Sequence, residues 1–435
     1  MGKVPLPHNF IARDYQLEFL GAMDNGFKRA ILLWHRRSGK DKTALNFLIR
    51  QMFKRVGNYY YCLPKYTQAR KVIWENIDKD GFRFLDHFPK ELIKAKNDQQ
   101  MTIETTNGSI FRLIGADEYN TVVGTNPVGI VFSEYSIQDP NAWGYFRPIL
   151  AENGGWALFI YTPRGKNHGY TLFNYAKANE KWFVSKKTVE DTKVISPSTL
   201  ESERTEMKAD TGDDALFFQE YYCDFNAAIQ GAYYARLLDE VEKSGRMKQG
   251  LFDPTIQVET WWDLGVGDAT SIWFTQSIGN EVRIIDFYES NNKGLSEYIK
   301  VVKEKPYVYL DHHAPHDIEV REFTSGKSRL EVARELGVRF RIVPKLSVDD
   351  GIQAVRNILP RCIFDSLKCV DGIASLYSYH KEYDENLKTF KDRPEHDWSS
   401  HASDAFRYFA VGHKDQTEYN DPNILRQNDY PNDSW

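Results

Sequence analysis

Between Arg29 and Trp182, short runs of β-branched and aromatic residues alternate with helix-forming stretches, and no other property of this 435-residue chain narrows its fold as far. The runs are AILLW, YYYCLP, SIFRLIGA, GIVFSEY and ALFIYTP; GKDKTALNFLIRQMFKR separates the first two. Strands spaced by helices in this way predict a parallel sheet covered on both faces, an α/β architecture.

The rest of the chain reads differently. From Val194 to Gly250 it is polar and helical, including FFQEYYCDF, with no run resembling a buried strand. A second strand set begins at Ile256, where VETWWDLG, ATSIWFTQ and EVRIIDFYE read as consecutive antiparallel strands, with Asp268 as a turn former between the first two. Helix-like LSEYIKVVKE, strand-like YVYLDHHA, helix-like KSRLEVARELG and strand-like RFRIVP follow, and then two more helices. Three antiparallel strands followed by alternating α and β is the order of a ribonuclease-H-like mixed sheet. A chain this long exceeds the roughly 250–300 residues at which single cores divide. The divisions expected are 1–193 for the parallel-sheet domain, 194–250 for a linker subdomain, 251–413 for the mixed-sheet domain and 414–435 for a polar, flexible tail.

Charge and composition exclude some functions. With 56 basic residues against 61 acidic ones the net charge is -5, so no global field draws the chain onto nucleic acid, and any basic contact surface must be local. MGKVPLPHNF lacks the apolar core of a signal peptide and no apolar run is long enough to span a bilayer, which predicts a cytosolic chain without a membrane partner. The four cysteines show no CxxC spacing, so they read as buried reduced thiols and not as a zinc site or disulfide framework.

The first candidate chemistry lies in AILLW-HRRS-GK-DKTALNFL. A strand, a bend able to aim backbone N–H groups at phosphates, and a helix opening on a lysine are the parts of a phosphate-binding loop. The usual GxxxxGK[ST] spelling is broken at both ends: Trp34 stands where the first glycine belongs and Asp41 where the Mg²⁺-binding hydroxyl belongs. GIVFSEY supplies the matching irregularity, because Ser133 occupies the place of the metal-binding aspartate of a Walker B strand. Carboxylate and hydroxyl have changed places, and a hard cation such as Mg²⁺ would still meet one of each. The predicted ATP site comprises Trp34, Arg36, Arg37, Ser38, Gly39, Lys40, Asp41, Lys42 and Ser133. Lys40 is the phosphate lysine, Glu134 polarises the attacking water, and Arg36 or Arg37 offsets charge on the terminal phosphate. Arg13 and Gln16 precede the first strand, where the glutamine amide can read an adenine edge, which favours ATP over GTP. Thr162 and Arg164 follow LFIY at the opening of the sheet, a place for sensing the terminal phosphate.

The second is a carboxylate set. In WWDLG, Asp263 is flanked by the apolar Trp262 and Leu264, where a charge is costly unless it ligates or is paired. Asp317 in APHD is the second candidate, with Asp311 as the alternative. Asp404 lies one helical turn from His401 in DWSSHASDAFRYF, a helix that Ser399 or Ser400 can cap. Such acids converge in two-metal phosphodiester cleavage, with Mg²⁺ or Mn²⁺ as the ions.

In this order, YQLEF, HRRSGKDKT, IVFSEY, YTPRGKNH, QEYYCDF, WWDLGVGDAT, APHDIEVREFTSGKS and DWSSHASDAFRY span nearly the whole chain, and the series resembles the large terminase subunit of tailed double-stranded DNA bacteriophages. The resemblance implies a P-loop additional-strand ATPase with a RecA-like sheet, a linker, and a ribonuclease-H-like nuclease. It implies a motor that drives double-stranded DNA into a procapsid and cuts the concatemer. Its partners would be the portal protein, a small terminase subunit and further copies of itself in a ring of five, with a monomer in solution, in the cytoplasm of the infected host and absent from the mature virion. The adenine motif falls on Arg13 and Gln16, Walker A on Trp34 to Asp41, the catalytic glutamate on Glu134, coupling on Thr162 and the nuclease acids on Asp263, Asp317 and Asp404. Two rivals remain: a host helicase–nuclease, which needs a second motor domain this chain has no room for, and a DNA-binding scaffold with a decayed ATP site.

Overall fold

The computed structural model describes residues 10–78, 81–122, 124–211, 214–226, 231–265, 269–291, 293–321, 326–384 and 389–413; the expected tail and Asp268 lie outside them. The chain divides into two compact units, Met1–Ala227 and Ala228–Trp435. The helices Pro197–Thr211 and Ala215–Tyr222 belong to the first and Ala235–Lys243 to the second.

The first unit is built on β1 (Arg29–Trp34), β2 (Asn58–Leu63), β3 (Ile93–Asn97), β4 (Thr102–Thr105), β5 (Ile110–Gly115), β6 (Pro127–Ser133), β7 (Trp156–Tyr161) and β8 (Trp182–Lys187), in the order β3-β4-β5-β2-β6-β7-β1-β8. From β5 across to β8 in that order the neighbours run parallel, whereas β3, β4 and β5 pair antiparallel at one edge. Every residue of β6 and β7 is buried, as a strand covered by helices on both faces requires. One strand, β7, stands between β1 and β6. It pairs Leu33 with Tyr161 on one side and Ser133 with Ile160 on the other. The carboxyl ends of all three therefore open at one edge, where a parallel sheet takes its ligand. Close packing fixes this register: a Cβ at Gly129 would stand 2.4 Å from the Trp156 indole, so only glycine fits there.

The second unit contains β9 (Met247–Lys248), β10 (Val258–Asp263), β11 (Thr270–Ile278), β12 (Glu281–Ser290), β13 (Tyr309–Ala314), β14 (Phe340–Ile342) and β15 (Cys362–Asp365), ordered β14-β13-β10-β11-β12-β15-β9. As expected, β10, β11 and β12 are antiparallel, and β13 and β14 join parallel on the far side of β10. The sheet also gains β15 and β9 beyond β12, which the sequence reading missed. Strand alternation sorts the WWD triplet. Trp261 lies in the core beneath the helix Ser400–Gly412, with Phe409 at 5.5 Å, and Trp262 lies in the opposite core against Phe340 at 5.1 Å. Asp263 shares the face of Trp261. A hairpin of β16 (Lys381–Asp384) and β17 (Thr389–Pro394) completes the unit. Among the described residues no helix is long and apolar enough to cross a membrane, and all four cysteines are free and buried.

Candidate active sites

At the open edge of the first sheet, β1 ends in Trp34 and the chain turns through His35 to Gly39 into the helix Lys40–Lys54. The bend is tight because Arg37 and Gly39 both take left-handed backbone conformations, at φ 66° and 81°. Glycine suits the second position, where an added Cβ would also stand 3.3 Å from the Gln16 amide nitrogen. The Gln16 amide oxygen accepts from the Arg13 backbone N–H at 2.9 Å, and the Tyr15 hydroxyl donates to the Ser38 carbonyl. Arg13 and Gln16 thus stand beside the loop, with one end of the amide already engaged.

The loop's charged groups meet across the strands. Lys40 is buried; its Nζ donates to Thr162 Oγ1 at 3.2 Å and lies 3.4 Å from Glu134 Oε1. Burial works against its ammonium, but the Glu134 and Asp41 carboxylates outweigh it and hold the pKa above the usual lysine value. Glu134 leaves β6 at φ 56°, with its N–H donating to the Ile160 carbonyl, so the residue expected to polarise water sits in a backbone conformation that non-glycine residues seldom adopt. Ser133 Oγ donates to Asp41 Oδ1 at 2.7 Å, and Tyr61 donates to the same oxygen at 2.9 Å. Burial first, and the Asp41 carboxylate second, push the Tyr61 hydroxyl well above its ordinary value, so it remains a donor. Oxygen donors from both variant positions therefore converge on one point, which fits a hard cation.

Not every residue in the expected set turns inward. The Trp34 indole is wholly buried and donates to Ser185 at 2.9 Å, so only its backbone belongs to the loop. Lys42 points away and pairs with Asp78 at 3.3 Å. Ser38 is buried, and its hydroxyl has no hydrogen-bond partner among the described residues. Arg37 is exposed and forms no ion pair among the described residues, while Arg36 and Arg164 both reach Glu220, a residue the sequence reading did not single out. His35 was also missed; burial lowers its pKa to about 4, leaving it neutral against Thr192.

In the second unit, Asp263 ends β10, Asp317 lies in the short turn of helix His316–Glu319 beyond β13, and Asp404 lies in the first turns of Ser400–Gly412. His401 Nδ1 is 3.3 Å from Asp263 Oδ2. Burial raises the Asp263 carboxyl to about 6; His401 opposes the shift, and the Asp404 and Asp317 carboxylates add to it. Asp404 accepts from Arg407 at 2.7 Å and from Tyr379 at 3.3 Å. The Asp404 and Asp317 carboxylates are thus near enough to act on Asp263, and His401 touches it, but among the described residues the group whose ligand atoms all lie within 4.8 Å of one another is a different one, Glu259, Asp311 and His313. The alternative acid, Asp311, lies on the same sheet face but is registered opposite Glu259, four residues before Asp263; with Glu259 and His313 it forms its own cluster, with Arg341 at 2.7 Å from Asp311 and His313 at 3.2 Å from Glu259. The expected cap does not form, because Ser399 donates to Asp397 and Ser400 to the Glu395 carbonyl.

No family model matches the chain. It is 24% identical over 328 residues to the large terminase subunit of Escherichia phage T5, a match covering 72% of this chain and 72% of that one. It is 24% identical over 161 residues to the large terminase subunit of Thermus virus P23-45, covering 34% and 33%. Among solved structures, the large terminase of a thermophilic bacteriophage in complex with ADP is 17% identical, covers 91% of this chain and 98% of its own, and superposes with a TM-score of 0.41.

Proposed function

We propose that this chain, a sequence relative of phage large terminase subunits, is an ATP-driven DNA-packaging motor with a metal-dependent nuclease in its second unit. The observation that carries the reading is the meeting of Lys40, Asp41, Ser133, Glu134 and Thr162 at the open edge of a parallel sheet whose extra strand separates the loop strand from the acid strand.

The residues divide the work as follows. Lys40 and the loop N–H groups bind the terminal phosphates. Asp41 and Ser133 would hold Mg²⁺, which would supply positive charge against the phosphates. Glu134 orients the attacking water once Lys40 turns from its carboxylate to the phosphate, and Thr162 follows that movement through its contact with Lys40. In the second unit Asp263, Asp317 and Asp404 would hold one or two Mg²⁺ or Mn²⁺ ions, which supply an activated water and a clamp on the scissile phosphate. His401 positions Asp263 through its contact with the carboxylate.

The partners that go with this reading are double-stranded DNA, a small terminase subunit and the portal of a procapsid, with five copies of the chain in a ring, acting in the cytoplasm of the infected host. The test is ATP hydrolysis by the purified chain with Mg²⁺ and double-stranded DNA, alongside plasmid cleavage with Mn²⁺. DNA-stimulated hydrolysis and cutting are expected. Absence of hydrolysis with DNA, portal and procapsid all supplied would favour the scaffold with a decayed ATP site.

A further inference from the structure

Glu220 is a buried carboxylate that the reading above leaves without a task. It lies in the helix Ala215–Tyr222 and is 3% exposed. A carboxylate out of water must be paired, and here both partners are arginines of the nucleotide edge. Arg164, two residues beyond Thr162, donates to Glu220 Oε1, and Arg36 of the loop stands 3.9 Å from Oε2. The backbone repeats the connection: the Arg36 N–H donates to the Glu220 carbonyl at 2.8 Å, and the Cys223 thiol contacts the Leu33 carbonyl at 3.6 Å. The helix end is thus fastened to the loop and to the turn after β7.

The electrostatics are specific. A terminal phosphate held by Lys40 would approach Glu220 as well, since the Glu220 carboxylate is near enough to act on the Lys40 ammonium. Two anions in a buried pocket repel unless a cation stands between them. A guanidinium has five donors in a rigid fork, and Glu220 takes one from Arg164, leaving others for the phosphate. A cation held this way is aimed before the reaction begins.

We propose that Glu220 is a positioning residue for ATP hydrolysis, acting through Arg164, whose guanidinium it aims at the terminal phosphate from the helix Ala215–Tyr222. The inference rests on the ATPase reading of this edge.

The test is a double-mutant cycle on steady-state ATP hydrolysis by the full chain with DNA. Glu220→Gln lowers kcat by about 10- to 100-fold with KM for ATP changed by less than about threefold, as expected of a contact that matters in the transition state. Arg164→Ala loses a similar amount, and the double variant is no slower than Arg164→Ala alone. Millimolar guanidinium chloride restores part of the Arg164→Ala rate when Glu220 is present and none in the double variant, a readout that a packing role would not move. Losses that multiply in the double variant, or a Glu220→Gln rate equal to wild type, overturn the proposal. If Glu220→Gln fails to fold, Glu220→Asp replaces it in the same cycle, and rescue independent of residue 220 is then the overturning result. Wild-type protein as inactive as Lys40→Ala would instead sink the ATPase reading itself.

Discussion

Ser133 Oγ donates to Asp41 Oδ1 at 2.7 Å, joining the first turn of the loop helix to the end of β6. A serine or threonine on the helix and an aspartate on the strand would make the same contact with donor and acceptor exchanged. On the proposed reading the metal-facing chemistry would be kept although both letters are changed. The two irregularities would then be one compensated change.

Lys40 and Glu134 form a pair that ATP would divide on the proposed reading. Lys40→Ala and Glu134→Gln are each expected to lower kcat for ATP by about 10²–10⁴-fold, the range for loss of a positioned charge or base. Phosphate-release kinetics measure it. A Glu134→Gln variant that hydrolyses at the wild-type rate would remove this residue from the mechanism.

The second unit should fail separately from the first. Asp263→Ala, Asp317→Ala and Asp404→Ala are expected to abolish Mn²⁺-dependent plasmid cutting, with ATP turnover staying within about twofold of wild type. Asp311→Ala, which removes the Arg341 ion pair and one acid of the Glu259–Asp311–His313 cluster, should keep cutting. Nicked and linear plasmid on a gel report the result, and cutting that survives Asp317→Ala but not Asp311→Ala would reverse the assignment.

Much of this arrangement was legible in the sequence because it is written in local pattern. AILLW running into a basic bend and a helix gave β1 and its loop, and VETWWDLG gave β10 with Asp263 set between apolar neighbours. The misses are non-local. FFQEYYCDF reads as an ordinary amphipathic helix, and only Arg164, 56 residues away, reveals that Glu220 is buried and paired. Short strands such as Met247–Lys248 and Cys362–Asp365 carry too few residues for a periodicity, and exist because a neighbouring strand completes their hydrogen bonds. Trp34 and Lys42 occupy loop positions in the sequence, yet their side chains turn to Ser185 and Asp78, a choice made by packing.

The raised Asp263 carboxyl has a consequence for stability. Its folded value of about 6 lies above the ordinary aspartate value, so this group's contribution is fully present below about pH 4 and is lost as pH rises through 6. In EDTA at pH 7.5, Asp263→Asn should therefore be more stable than wild type by on the order of 2 kcal/mol, and the gap should close toward pH 4. Thermal denaturation across that range tests this; a variant less stable at pH 7.5 would mean that the His401 contact outweighs burial.

The account depends most on the exchange between Asp41 and Ser133, and reciprocal substitution tests it directly. ATP turnover with saturating Mg²⁺ is measured for Asp41→Ser, for Ser133→Asp and for both together. Each single change leaves the ion with two hydroxyls or two carboxylates, and each should cost at least about 100-fold, while the double change should return to within about tenfold of wild type. A double variant as slow as the slower single one would contradict the exchange.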